Sequence, residues 1–140
     1  LKPFATRLEG VDLSPRMLEQ ARAKGLYDTL HEADLLDFLP RRKAAWDVIA
    51  AADVLNYLGE LGPAMTAIRA ALKPGGAAVF SLEAGESGTV LGEGMRYRHG
   101  RDAAEAAIVA AGLRLQEVRE APLREEKGRA VAGLLYRVGA

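Results

Sequence analysis

The stretch that decides the fold is VDLSPRMLEQAR, residues 11–22. A short strand-like run, residues 7–12 (RLEGVD), ends at Asp12, and Ser14-Pro15 then supplies a helix N-cap followed by proline at the first helical position. Apolar residues recur on one face of the segment that follows, and Gly25 stands where a left-handed residue commonly ends a helix. The stretch therefore predicts a strand followed directly by a helix that stops just before this glycine.

Working outward, strand-like runs and helical stripes alternate along the chain. The predicted strands are residues 7–12, 30–34, 46–52, 77–82, 113–119 and 130–138, and the predicted helices are those that begin at Ser14, at Pro63 and near Ala104. The early alternation is typical of parallel crossover units, whereas the last two strands are expected to pair antiparallel. Glycine-rich residues 85–100 predict a long loop and a candidate lid. We expect one α/β domain over residues 1–140.

Composition excludes several classes of protein. The 140 residues are 49% apolar, which is enough for one modest core, and the 19 basic and 19 acidic side chains leave no excess charge for nucleic acid or an anionic membrane. The chain has no cysteine and only two histidines, so we predict no disulfide, no cysteine nucleophile and no metal site. Neither a leader nor a membrane-spanning run follows Leu1, so the cytoplasm is the expected location.

Three carboxylates stand at or just past the ends of three successive predicted strands. They are Asp12 in GVDLS, Asp34 in EADLLDF and Asp53 in AADVLNYL. Functional groups of α/β sheets gather at the carboxyl ends of the strands, and a carboxylate in such a place can accept both hydroxyls of a ribose. Asp12 is the first candidate for that role. For each carboxylate taken alone, a helix cap or a solvated turn is the alternative interpretation.

Four motifs in one order resemble a known family. VDLSPRMLEQAR, ADLLDF, WDVIAAADVLNYL and ALKPGGAAVFSLE resemble successive motifs of the class I S-adenosylmethionine-dependent methyltransferases, over essentially the whole chain. AADVLNYLGEL, RYRHGRD and AGLLYRV resemble predicted methyltransferases that carry tetratricopeptide repeats upstream. The resemblance implies a Rossmann-like sheet, mostly parallel with an antiparallel C-terminal pair, S-adenosylmethionine as cofactor and a small-molecule methyl acceptor.

The resemblance also implies roles for individual residues. The implied cofactor-binding residues are Asp12 at the ribose hydroxyls, Leu13 and Met17 beside the adenosyl group, Asp34 and Leu35 at the adenine, and Ala51 under the methionine portion. The segment of Ala51, Ala52 and Asp53 together would lie under the methionine portion and face the substrate. Leu13 and Met17 equally suit the core side of their helix. Asp37 is interpreted as a solvated turn residue.

A base is needed only if the acceptor has a proton to lose. Asp53, Tyr57 and His99 are then the candidate catalytic residues, and His99 has the side chain best matched to neutral pH. The alternative for His99 is an ordinary surface or capping residue. Tyr57 stands where many relatives have histidine, although a tyrosine could still orient an acceptor.

Two charged segments have competing interpretations. Arg96, Arg98 and Arg101 surround Tyr97 and would either grip an acidic substrate or be solvated charges, and we favour solvated charges. Residues 123–128 (LREEKG) predict a charged turn between the last two strands, and no chemistry is assigned to it.

The family pattern includes a first strand and a glycine-rich turn about twenty residues before the ribose-binding acid. Only eleven residues precede Asp12, so we expect this strand and turn to be lacking here. Their lack would leave two unpaired strand edges in the sheet. The preferred expectation is an upstream segment of a longer protein, and the alternatives are a partner chain that donates the strand or a rearranged sheet.

Two other functions compete with methyl transfer. One is a non-catalytic binding or interaction module that keeps the architecture without the cofactor, although Asp12 and Asp34 argue against it. The other is a nicotinamide-dependent oxidoreductase, which would also use Asp12. The LKPGG segment and the paired terminal strands resemble methyltransferases instead.

Overall fold

The structure, a computed structural model, describes residues 2–140. The strands are β1 (Glu9–Asp12), β2 (Thr29–Glu32), β3 (Trp46–Ala51), β4 (Leu72–Ala84), β5 (Thr89–Leu91), β6 (Tyr97–His99), β7 (Arg114–Glu126) and β8 (Arg129–Gly139). The helices are α1 (Pro15–Ala23), α2 (Leu35–Phe38), α3 (Gly62–Ala71) and α4 (Arg101–Ala110). Within this range no helix has the length and apolar character needed to cross a membrane.

The strands form two sheets. β1 and β2 pair in parallel, and the other six strands form a second sheet in which β4 pairs with β3, β6 and β8. Among residues 2–140, β1 pairs only with β2 and β3 pairs only with β4. Each of these two strands therefore has one edge without a strand partner within the described residues.

The expectation of one mostly parallel sheet is wrong. In the six-stranded sheet β3 and β6 run parallel to β4, whereas the pairs β4–β8, β5–β6 and β7–β8 are antiparallel. The physical reason is local: glycine-rich residues 85–100 fold back into the β5–β6 pair instead of remaining a loop, and the last two strands form one long hairpin. The predicted antiparallel C-terminal pair is confirmed.

The core lies on one face of the six-stranded sheet. Met65 and Ile68 of α3 and Ile108 of α4 are buried, together with Phe80 of β4 and Tyr136 of β8. The last two rings stack at a centroid distance of 5.3 Å. Alternate residues on the opposite face are partly open to solvent, because the side chains of a strand alternate between faces. Three of these residues are large and apolar: Val48, Val79 and Leu135.

The sequence signals around α1 are confirmed. The Ser14 hydroxyl accepts a hydrogen bond from the Met17 amide at 3.3 Å, and Pro15 is the first helical residue. Gly25 follows the helix with φ of +64°, a conformation that glycine adopts at no steric cost. The C-terminal hairpin differs from the prediction, because β7 continues to Glu126 and residues 123–126 belong to a strand instead of a turn.

Candidate active site

Asp12 and Asp34 lie at the carboxyl ends of the two paired strands β1 and β2. One oxygen of each carboxylate closes a turn: Asp12 Oδ1 accepts from the Ser14 amide, and Asp34 Oδ1 accepts from the Leu36 amide, both at 2.8 Å. The Ala33 amide donates to the Asp12 carbonyl at 3.1 Å, which ties the two strand ends together. Among residues 2–140, the second oxygen of each carboxylate receives no hydrogen bond. Both aspartates therefore act as local caps and still leave one oxygen for a ligand.

The apolar residues beside Asp12 are exposed. Leu13 is 65% exposed and Met17 is 50% exposed, whereas Leu18 takes the buried position of α1. The core interpretation is therefore wrong for Leu13 and Met17, and both are free to contact a ligand. Leu35 is half-buried at the start of α2.

Asp53 follows β3 in a strained backbone conformation. Its φ is +55°, in the left-handed region that costs a non-glycine residue about 1 to 3 kcal/mol. Its amide donates to the Ser81 hydroxyl of β4 at 2.9 Å, which fixes the ends of β3 and β4 relative to each other. Ala51, half-buried, is the last residue of β3. The strand ends therefore hold the Asp53 side chain in one defined place.

Arg124 of β7 brings three carboxylates together. Its Nη1 donates to Asp53 Oδ1 at 2.7 Å, its Nε donates to Glu126 Oε1 at 3.1 Å, and its Nη2 donates to Glu83. Glu83, near the end of β4, is 7% exposed. Sequence reasoning missed both Glu83 and Arg124. The strand-end rule that selected Asp53 applies equally to Glu83, whereas no local signal marks Arg124, which stands 71 residues from Asp53.

These ion pairs shift two pKa values. Burial lowers the pKa of Arg124, but the hydrogen bond to Glu126 and the charges of Asp53 and Glu83 outweigh it, so the pKa lies above its ordinary value. The hydrogen bond from Arg124 lowers the pKa of Glu126, and the charge of Arg96 acts in the same direction. Both groups are therefore charged at neutral pH.

Tyr57 and His99 have opposite environments. Tyr57 is 57% exposed on a 3₁₀ turn over residues 55–57, while His99 is completely buried. The His99 Nε2 lies 2.9 Å from the Leu58 carbonyl oxygen, to which it must donate, and Nδ1 has no partner among the described residues. Burial lowers the pKa of His99, so the ring is neutral at neutral pH. The surface or capping interpretation of His99 is wrong, and its role as a base stays a prediction.

Two of the three arginines around Tyr97 are paired with carboxylates. Arg96 contacts Glu126 at 2.6 Å, and Arg101 contacts Glu105 at 3.4 Å. Arg98 is exposed. The ion pair of Arg96 with Glu126 thus connects the segment before β6 to the tip of the β7–β8 hairpin, so Arg96 is not a free solvated charge.

Comparison with known proteins identifies the family. The family described as "Methyltransferase domain" matches residues 1–80. No match was found among curated proteins.

Solved structures show the same fold at low identity. An S-adenosylmethionine-dependent methyltransferase from Mesorhizobium loti has a TM-score of 0.72 and 23% identity, over 97% of this chain and 81% of that one. One from Methanosarcina mazei has a TM-score of 0.71 and 14% identity, over 94% and 80%. The Burkholderia thailandensis 1,6-didemethyltoxoflavin-N1-methyltransferase, solved with 1,6-didemethyltoxoflavin and S-adenosylhomocysteine bound, has a TM-score of 0.73 and 15% identity, over 95% and 65%. Because the family matches more than half of the chain, this protein belongs to the family described as "Methyltransferase domain".

Proposed function

We propose that this protein transfers a methyl group from S-adenosylmethionine to a small molecule at the carboxyl ends of β1 to β4. Asp12, Asp34 and Leu35 bind the adenosine portion of the cofactor, with Leu13 and Met17 against it. Ala51 lies under the methionine portion, and Asp53 faces the acceptor. The observation that carries this assignment is that Asp12 and Asp34 each keep one carboxylate oxygen free at adjoining strand ends.

The residues present suit the chemistry of the cofactor. A ribose offers two hydroxyl donors and an adenine offers an amino donor, and carboxylate oxygens accept hydrogen bonds from both. The exposed Leu13 and Met17 side chains offer apolar surface of the kind that covers an adenosyl group. These donors and acceptors match, so we assign the cofactor to this edge of the molecule.

S-adenosylmethionine supplies a methyl group that is already activated on a sulfonium, so the protein contributes chiefly alignment. Ala51 and Ala52 have small side chains and line a cavity beside the end of β3. Asp53 is held by Ser81 and Arg124 and presents a carboxylate to the acceptor. His99 holds the turn that carries Tyr57 through its bond to the Leu58 carbonyl, so we now favour a positioning role for His99 over that of a base.

The test is a calorimetric titration of the protein with S-adenosylhomocysteine. We expect one-to-one binding, and we expect Asp12→Ala to weaken it by about 1.5 to 3 kcal/mol, the range for hydrogen bonds to a charged group, which is roughly 10- to 150-fold in Kd. Asp37→Ala is the matched control, because Asp37 is an exposed carboxylate of α2 and lies outside the proposed site.

Each result has a clear meaning. Equal affinity of the wild type and Asp12→Ala removes Asp12 from the site. A folded protein that still fails to bind S-adenosylhomocysteine when the expected upstream strand and glycine-rich turn are present refutes the proposed cofactor site and favours the non-catalytic binding module.

We also propose membership of the tetratricopeptide-associated subgroup of methyltransferases. The support is that two of the motifs that resemble this subgroup are in contact: His99 of RYRHGRD donates a hydrogen bond to the Leu58 carbonyl of AADVLNYLGEL. Sequencing the gene upstream of the codon for Leu1 tests this assignment, and an open reading frame that lacks tetratricopeptide repeats there contradicts it.

A further inference from the structure

The outer part of the β7–β8 hairpin projects beyond the rest of its sheet. The pairing of β4 with β8 ends at Glu83 and Gly133, whereas β7 and β8 continue to pair as far as Glu126 and Arg129. Residues 122–132, which we call the flap, therefore have no strand partner outside their own hairpin within the described part of the chain. A two-stranded hairpin is at best marginally stable in water, so other contacts must hold the flap in place.

Both strands have a feature at the base of the flap that permits bending. The register of β7 shifts between Pro122 and Arg124, and β8 has a glycine, Gly133, at the last position that pairs with β4. A shift of this kind interrupts the ladder of hydrogen bonds and bends the strand, and a glycine inside a strand weakens it. The flap can therefore move about its base while the inner part of the hairpin stays in the sheet.

The flap is not anchored in the core. None of residues 122–132 is buried, and the apolar side chains of Leu123 and Val131 do not belong to the core cluster or to the residues packed against it. Leu123 lies over Gly133 of its own hairpin. The described contacts that join the flap to the rest of the molecule are therefore those of its charged side chains.

Arg124 makes two of these contacts. Its Nη1 donates to Asp53 Oδ1 at 2.7 Å, and its Nη2 donates to the carboxylate of Glu83. Its Nε donates to Glu126 within the flap at 3.1 Å, and Glu126 in turn contacts Arg96 at 2.6 Å. One guanidinium thus joins the flap to the ends of both β3 and β4.

The Arg124 contacts differ in burial from the ion pair at the tip of the flap. The side chain of Arg124 is 20% exposed and that of Glu83 is 9% exposed, so Arg124 compensates a carboxylate that would be costly to bury alone. Lys127 lies 3.6 Å from Glu93, but both of these side chains are almost fully exposed, and such a pair contributes little. Arg124 is therefore the main anchor of the flap.

We propose that the flap covers the acceptor side of the site and that Arg124 is the positioning residue that holds it closed. This inference rests on the proposed function, since it concerns access to Asp53 at the acceptor end. With the flap closed, Arg124 covers Glu83 and occupies one oxygen of Asp53. Release of Arg124 exposes both carboxylates at once. An acceptor enters while the flap is open, and closure over it excludes water from the methyl transfer.

The test measures the position of the flap directly. The chain has no cysteine, so nitroxide labels on Glu125→Cys of the flap and Val109→Cys of α4 report one distance by pulsed electron paramagnetic resonance. Both positions are exposed. Raising the ionic strength from about 0.01 M to about 1 M shortens the Debye length from about 30 Å to about 3 Å. Because salt stabilises separated charges more than paired ones, we expect a second distance, that of the open flap, to appear.

Substitutions of Arg124 make the same change without salt. Arg124→Gln should enlarge the open population at least about tenfold at low ionic strength, because the charge-assisted hydrogen bonds to Asp53 and Glu83 are lost. Arg124→Lys keeps the charge but not the fork of donors, so its open population should be intermediate. Arg119→Gln is the matched control, because Arg119 lies on the inner part of β7 and pairs with Glu117 of the same strand.

A chemical probe connects this motion with access to the site. A water-soluble carbodiimide couples accessible carboxylates to an added amine, and mass spectrometry gives the fraction of Glu83 that has reacted. We expect this fraction to rise together with the open population, both in the wild type at high salt and in Arg124→Gln. Glu60, which is exposed in the closed structure, is the internal reference.

The outcomes separate the two proposals. The flap is overturned if neither salt nor Arg124→Gln changes the distance, if Arg119→Gln opens it as far as Arg124→Gln does, or if Glu83 stays unreactive when it opens. S-adenosylhomocysteine binding would then still support the proposed function. A flap that opens in a protein that fails to bind S-adenosylhomocysteine, with the upstream strand and turn present, refutes the proposed function and with it the assignment of the flap to an acceptor.

Discussion

Gly133 of β8 is the position where one added methyl group should do the most harm to the β7–β8 hairpin. In the register of the sheet Gly133 lies between Glu83 of β4 and Ala121 of β7. The pairing of β7 with β8 shifts between Pro122 and Arg124, and the Leu123 side chain folds over the place that a Cβ at Gly133 would occupy. Three Leu123 side-chain atoms would overlap with that Cβ.

Gly133→Ala is therefore expected to destabilise the protein. Overpacking of this kind costs about 1 to 3 kcal/mol, which lowers the melting temperature of a domain of this size by roughly 3 to 12 °C. Thermal unfolding followed by circular dichroism measures this change. Leu123→Ala in the same chain removes the overlapping atoms and should restore most of the loss, which appears as a coupling energy in a double-mutant cycle.

The control for this experiment is Gly128→Ala at the hairpin tip, where a Cβ meets nothing within 4 Å and only the φ of +76° opposes it. The steric reasoning fails if Gly133→Ala melts at the wild-type temperature, or if Leu123→Ala adds its own cost to that of Gly133→Ala instead of relieving it.

Two further predictions concern the core and the pH dependence of stability. Ile108→Ala should lower the free energy of unfolding, measured in urea, by about 2 to 5 kcal/mol, because the Ile108 side chain is completely buried. Val109 lies on the same helix and is 70% exposed, so Val109→Ala should change the free energy of unfolding by less than about 0.5 kcal/mol. Equal effects of the two substitutions would contradict the assigned core. Burial holds the pKa of His99 below its ordinary value of 6.5, so as the pH drops below about 6.5 the unfolded chain binds a proton that the folded protein does not, and the free energy of unfolding should fall. His99→Asn should flatten the dependence of the free energy of unfolding on pH in this range. An unchanged dependence would show that His99 does not cause it.

Local signals in the sequence predicted much of the fold. The Ser14-Pro15 cap, the glycine after α1 and the helical stripes of α3 and α4 act within a few residues of the chain, so their outcome depends little on the rest of the molecule. The LKPGG segment ends α3 as predicted, and Gly76 fits there because its missing Cβ lets the carbonyl groups of Trp46 and Asp47 approach.

The features that the sequence did not predict depend on contacts between segments that are distant along the chain. Nothing in residues 123–128 distinguishes a charged turn from a strand that carries Arg124 over Asp53, because the distinction arises only when β8 pairs with β4. His99 has the sequence context of a surface residue, yet β6 joins the sheet and buries its ring. The strand-end positions of Asp12 and Asp34 were predictable from the sequence because Asp12 is the last residue of β1 and Asp34 lies two residues beyond β2.

The sequence separation of 71 residues from Asp53 to Arg124 also sets an order in time. During synthesis at about 5 to 20 residues per second, the segment that contains Asp12 and Asp34 leaves the ribosome several seconds before Arg124 does. Closing so long a loop also carries an entropic cost that must be met before the ion pair forms. A nascent or prematurely terminated chain thus carries both strand-end aspartates of β1 and β2 while Arg124, and with it the ion pair to Asp53, is not yet present.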